Sequence, residues 1–162
     1  MGIKNYLVEG VSGTGKTSVC HELTRRGYQG INGDRELAYQ GDPVTGEPLP
    51  GSAHEHHIWD VAKVRSIVED HSHSKTFFCG GSRNFSQFID LFDEVFVLGV
   101  AWSVLEQRLA ARGDDEWGGT VEERALVKRV QATGEDTPQI GIRIDTSVPL
   151  AKVVDTILNH CE

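Results

Sequence analysis

Residues 9–18 read EGVSGTGKTS, and within them Gly10 to Thr17 satisfies G-x-x-x-x-G-K-[ST] without departure. No other feature of the chain constrains its fold as tightly. An apolar run, IKNYLVEG, precedes the loop and a helical pattern comes after it, the context in which such a loop cradles phosphate. Gly10, Gly13 and Gly15 permit backbone conformations that aim successive N–H groups inward and leave room for phosphate oxygens. The helix opening near Lys16 adds the positive end of its dipole. Lys16 is placed to reach outer phosphates, the Thr17 hydroxyl to ligate Mg²⁺, and Ser18 to contact an inner phosphate. With Ser12 and Thr14, these residues form the candidate nucleotide-binding set.

The rest of the chain alternates strand and helix signals. Thr17 to Arg26 is helical, with Val19, Cys20 and Leu23 on one side and Gly27 placed to stop it. YQGIN is a short second strand ending at Asp34. Residues 35–53 carry three prolines and three glycines, which predicts a loop or flap rather than a helix. Ile58, Val61, Val64 and Val68 then repeat at helical spacing. KTFFCGG and EVFVLGV are a third and a fourth strand, and the helix after the latter turns Val104, Leu105 and Leu109 inward. RGDDEWGG is a second polar loop, succeeded by a helix opened by a capping box, Thr120 with Glu123. IGIRID is a fifth strand, and a closing helix directs Leu150, Val153, Val154, Ile157 and Leu158 inward. Strands separated by helices predict a five-stranded parallel sheet covered on both faces, a three-layer α/β/α sandwich.

Bulk properties fit this expectation. The chain has 162 residues, 38% of them apolar and 25% charged, suited to a single domain over 1–162. Its net charge of −8 lacks the basic footprint of a nucleic-acid partner. No stretch approaches the length of a membrane span. The first strand begins almost at Met1, so no secretory leader is expected and a cytoplasmic chain is, as a monomer or homodimer. Cys20, Cys79 and Cys161 have no metal-site spacing and are expected as free thiols packed as small hydrophobes.

Switch proteins and motors that use this loop usually carry a strand ending in a metal-linked Asp. Here the third strand ends FFCGG and the fourth FVLGV, and no N-K-x-D motif occurs. The parts that are present resemble, in order and over nearly the whole chain, the small-molecule kinases of the adenylate, shikimate, gluconate and adenylylsulfate kinase group. NGDR is similar to the D-G-D-x-x-R of adenylylsulfate kinases, with Asn32 where the first acid often sits. CGGS at 79–82 looks like the glycine motif by which shikimate kinases receive substrate, which points to Gly80 and Gly81. VLGVAWSVLEQRLAAR looks like the strand and arginine-bearing helix before the lid. IDTSVPLAKVVDTIL resembles the last strand, adenine loop and final helix.

The resemblance implies a P-loop fold, ATP as donor, Mg²⁺, and transfer of the γ-phosphate to a small acceptor. Lys16, Asp34 and Arg112 would be catalytic. Asp34 would take or orient the proton of an acceptor hydroxyl; its competing role is to cap the adjoining turn. Arg108 and Arg112 share a helical face, one stacking on adenine and the other, beside a lid at about 112–120, reaching the transferred phosphate. One of Arg124, Lys128 and Arg129 is also expected in the site. On the acceptor side, under a flap at about 35–57, Arg35 and Arg83 are candidate anion contacts. Trp59 is a candidate stacking wall with Lys63 or Arg65 nearby, or else an edge tryptophan packed beneath the flap. His54, His56 and His57 lack the usual zinc geometry. Trp59 and the flap tilt the expectation towards a nucleoside-like acceptor. A shikimate- or gluconate-type metabolite, and an ATP-binding sensor or assembly ATPase without an acceptor, stand as alternatives.

Overall fold

The first strand, β1 (Lys4–Glu9), buries every residue but Lys4, as a strand covered on both faces must. It forms the centre of a five-stranded sheet of order β2-β5-β1-β6-β7, where β2 is Gln29–Asn32, β5 Lys75–Cys79, β6 Glu94–Gly99 and β7 Ile142–Asp145. All four pairings are parallel, with Tyr6 opposite Phe77 on one side and Glu94 on the other. The computed structural model describes residues 4–10, 13–112, 119–133 and 137–161, with no account of the His54 side chain.

Successive residues of β1 face opposite layers. Tyr6 and Val8 pack with Val19, Cys20 and Leu23 of α1 (Lys16–Arg25) and Val153, Val154 and Ile157 of α6 (Leu150–Asn159). Leu7 faces the other way, towards Val64 of α3 (Val61–Glu69), Phe78 and Phe88. A smaller cluster joins Leu105 and Leu109 of α4 (Trp102–Ala110) to Val127 and Val130 of α5 (Val121–Thr133). The three-layer parallel architecture is therefore the one expected. The expected capping box is also formed, Glu123 N–H donating to Thr120 Oγ1 at 3.2 Å. Cys20, Cys79 and Cys161 are buried free thiols. Leu150 departs from expectation: it is 39% exposed rather than turned inward.

Segment 35–57 differs more. After a single turn, α2 (Gly33–Glu36), the chain forms a two-stranded antiparallel hairpin of β3 (Ala38–Gln40) and β4 (His57–Trp59). Each strand has three residues, too few for period-two alternation to show among the prolines and glycines. Ile58, expected at the start of a helical stripe, lies on β4. Helix α3 begins three residues later, where the Asp60 carboxylate accepts the Lys63 N–H at 3.2 Å and sets the N-terminus.

Trp59 belongs to the core and not to a cavity wall. It is 1% exposed and stacks on Phe88 with ring centroids 5.5 Å apart at 4°. Asn84 brackets its backbone, accepting from Trp59 N–H and donating to Trp59 O, both at 3.0 Å. A Cβ on Gly33 would fall 2.1 Å from the indole, so the ring fills the space a side chain there would need. Lys63 and Arg65 are exposed on α3.

This packing and the surface charges around α1 carry two expected outcomes. Trp59→Ala should destabilise the protein by about 3–5 kcal/mol, read from chemical denaturation. Glu22 receives hydrogen bonds from Arg25 and then Arg26, which push its pKa down to about 2 from 4.5. A depressed carboxylate stabilises the fold fully above its unfolded value and loses that contribution as pH falls through the folded one. Stability should therefore decline between about pH 5 and pH 2, and decline less in Glu22→Gln over the same interval.

Candidate active site

A cavity of about 920 Å³ opens at the carboxyl ends of the parallel strands, the end at which open α/β sheets bind ligands. Its floor is the phosphate loop. Gly13 has φ 89° and Gly15, the N-cap of α1, φ 102°, both in the left-handed region that favours glycine. A Cβ on Gly13 would also meet Leu105 Cδ1 at 2.6 Å, so the loop lies directly on α4. Gly10, Gly13, Thr14, Gly15, Lys16, Thr17 and Ser18 line the cavity. Lys16 Nζ donates to Gly10 O. Ser12 lies outside the described residues.

Arg108 joins the loop to the opposite wall. Its guanidinium donates to Gly13 O at 3.1 Å, to Thr146 Oγ1 at 3.1 Å and to Thr146 O at 2.6 Å. Thr146 stands just after β7 and is held in turn by its N–H to Gly99 O at 2.9 Å. Asp145 beside it accepts from the Ser147 N–H and hydroxyl, which hold its carboxyl below the usual range. Val148 and Leu150 extend this wall with apolar surface, and Arg112 lines the cavity one turn beyond Arg108.

The other lobe is polar. Asp34 sits on α2, and its Oδ1 lies 3.0 Å from His57 Nε2 on β4. Hairpin register sets Gln40 opposite His57, and both line the cavity. Gly81, Ser82 and Arg83, from the turn after β5, complete the lobe, with Arg83 N–H tied to His57 O at 2.9 Å. Gln40 Oε1 and Ser82 Oγ are buried and find no hydrogen-bond partner among the described residues. The described lining contains no phenylalanine, tyrosine or tryptophan.

The site thus unites Lys16, Thr17, Asp34, Gly81, Arg83, Arg108 and Arg112, as expected from sequence. It does not admit Trp59, whose ring is taken up by the stack with Phe88. Gly80 is buried behind the lining, its N–H donating to Val8 O at 3.0 Å, and Arg35 is exposed on α2 away from the cavity. None of Arg124, Lys128 and Arg129 lines it; the Lys128 ammonium lies over the Trp102 ring at 5.8 Å. Most of the expected lid, residues 113–118, lies outside the described residues.

Among the lining residues that sequence reasoning missed are Gln40, His57, Ser82 and Glu9. Gln40 and His57 needed the hairpin register to be seen as neighbours. Ser82 reads equally well as a helix-start residue. Glu9 stood in the opening motif, but acids were sought only at the tips of later strands. Among the described residues no group of three or more His, Cys, Asp or Glu is disposed to hold a metal. The oxygen donors at the loop, the Thr17 hydroxyl and Glu9 carboxylate, suit Mg²⁺ carried in by phosphates, which is how that ion is usually bound.

A parallel sheet with a phosphate loop at its centre and a cavity at its carboxyl edge defines a P-loop α/β protein. Residues 7–128 match the family described as AAA domain, and the chain belongs to it. No curated protein matches the sequence. Among solved structures, the fold is similar to that of a gluconokinase from Sinorhizobium meliloti 1021, 22% identical, with a TM-score of 0.57 over 96% of this chain and 90% of that one. A sugar kinase from Janibacter sp. HTCC2649 is 19% identical, with a TM-score of 0.55 over 97% and 93%. A shikimate kinase from Bacteroides thetaiotaomicron is 10% identical, with a TM-score of 0.59 over 98% of both chains. The fold is that of the small-molecule P-loop kinases.

Arg108→Ala should weaken binding of a non-hydrolysable ATP analogue by about tenfold or more, because it removes a cation from the cavity and the tie between Gly13 and Thr146 that preorganises the loop. Isothermal titration calorimetry reads this loss directly.

Proposed function

We propose that the chain is an ATP- and Mg²⁺-dependent phosphotransferase acting on a small, polyhydroxylated, anionic acceptor. The observation that carries the acceptor class is the polar lobe in which Asp34, Gln40, His57, Ser82 and Arg83 together line one side of the cavity. A carboxylate, an imidazole, an amide and a hydroxyl grouped in this way offer several hydrogen bonds to the hydroxyls of an acceptor. Arg83 supplies a cation for a carboxylate or comparable anion. With Trp59 in the core and no large aromatic ring in the described lining, the packing offers a nucleobase no stacking wall. The gluconokinase and sugar-kinase neighbours are compatible with this class.

In this reading adenine occupies the wall of Arg108, Val148 and Leu150, the guanidinium stacking on the base. Loop amides and Lys16 hold the phosphates. Thr17 would hold Mg²⁺, which supplies charge neutralisation at the outer phosphate oxygens. One Asp34 oxygen, the other being held by His57, accepts the proton of the acceptor hydroxyl. The acceptor oxygen then bonds to the γ-phosphorus, the bond from that phosphorus to the β–γ bridging oxygen breaks, and ADP leaves with that oxygen. Arg112 stabilises the charge spreading over the transferred group. The hairpin serves as an acceptor-side flap and the segment at about 112–120 as a lid, which exclude water during transfer.

A sensor or assembly ATPase would need no receiving space, whereas here the cavity runs unbroken from the phosphate loop to Asp34 and Arg83. Incubation with labelled ATP and a panel of sugar acids, polyols and nucleosides tests the proposal. Sugar acids should accept phosphate; if no compound raises turnover above the water rate, the transferase reading fails. With the accepted compound, Asp34→Asn should lower kcat by about 10²–10⁴-fold, the usual contribution of a positioned base, while ATP affinity holds. Unchanged turnover would remove Asp34 from its role.

A further inference from the structure

Glu9 ends the central strand at the floor of the phosphate cavity and is 1% exposed. A carboxylate buried in a space that suits phosphates invites explanation, because like charges repel. Its Oε1 accepts the Gly10 N–H at 3.0 Å, so one oxygen is anchored to the first residue of the loop. A Cβ on Gly81 would lie 2.8 Å from Glu9 Oε1 and 3.4 Å from Lys16 Nζ, so the acid and the loop lysine converge on the same point. Lys16 Nζ donates to Gly10 O, the carbonyl of the residue that Glu9 anchors.

A triphosphate changes that balance. Lys16 must turn to the outer phosphates, which withdraws a cation from Glu9 just as more negative charge arrives. The neighbouring strand tips carry no carboxylate: β5 ends at Cys79 and β6 at Gly99. Glu9 is thus the acid that the floor offers to a metal. Mg²⁺ keeps several of its waters and is typically held through one or two carboxylates together with substrate phosphates.

Resting on the nucleotide-binding reading of the site, we infer that Glu9 is the carboxylate that secures the nucleotide's divalent cation, through the ion or one of its waters, and that bars nucleotide lacking the ion. Glu9→Gln keeps the shape and an oxygen for Gly10 N–H but removes the charge, and its two consequences are opposite in sign. Metal-bound nucleotide should bind more weakly, and metal-free nucleotide more tightly. A purely structural role would weaken both.

Calorimetric titration of wild type and Glu9→Gln with AMP-PNP, in Mg²⁺ and in excess EDTA, separates these outcomes. We expect a loss of about tenfold with Mg²⁺ and a gain of about tenfold without it, each factor of ten being about 1.4 kcal/mol of lost attraction or relieved repulsion. Affinities that shift in the same direction, or not at all, overturn the inference and leave the transferase reading standing. Wild type that takes up no AMP-PNP with Mg²⁺ overturns both. Should the Gln variant show no folding transition, Glu9→Asp takes its place. Keeping the charge at shorter reach, it should bind Mn²⁺ in the nucleotide complex more weakly than wild type by electron paramagnetic resonance, and equal Mn²⁺ affinity would overturn the inference.

Discussion

One guanidinium holds the donor half of this molecule together. The phosphate loop belongs to β1 and α1, whereas Thr146 belongs to the turn between β7 and α6. Arg108, on α4, hydrogen-bonds to both, fixing the distance between phosphate cradle and apolar wall. Its bonds lie in the guanidinium plane, so they leave the faces of the group available. Gly13 is part of the same device: its missing side chain lets the loop settle on Leu105, one turn before the arginine on the same helix. A site for an extended ligand needs such cross-links, because its two ends are built from distant parts of the chain.

The acceptor half is organised differently. Three elements converge there: α2 with Asp34, the hairpin with Gln40 and His57, and the turn after β5 with Ser82 and Arg83. Their backbones are joined directly, Arg83 to His57 and Asp60 to Leu37, and Asn84 ties the turn to Trp59. The polar side chains are thus carried on a frame tied together by these backbone hydrogen bonds. Donor and acceptor lobes meet at Lys16 and Glu9, where opposite charges share the floor.

The sheet and the donor half were largely legible in the sequence. Apolar strands such as NYLV and TFFC are buried on both faces and read as continuous runs, and the phosphate loop is a local motif whose context is also local. The acceptor half was legible only in part. Asp34 and Arg83 stand at strand ends, which a strand-by-strand reading locates. Gln40 and His57 come together through a hairpin of two three-residue strands separated by sixteen residues, and no local pattern announces that pairing. Between the two roles open to Trp59, cavity wall or packed ring, the sequence does not choose, because Ile58, Val61 and Val64 mimic helical spacing while the Asp60 cap starts the helix only at Val61. Glu9 lies in the local motif, but its place beside Gly81 and Lys16 at the cavity floor depends on a contact far away in sequence.

The indole of Trp59 lies beneath Gly33 and Gly80 and against Phe88, a stack in which a Cβ at either glycine would fall 3.0 Å or less from the ring. Asp34 rests on top of that stack. Enlarging position 33 therefore demands a smaller ring at 59. Replacements at 33, 59 or 80 would thus shift the Asp34 carboxylate from underneath, although none of the three lines the cavity.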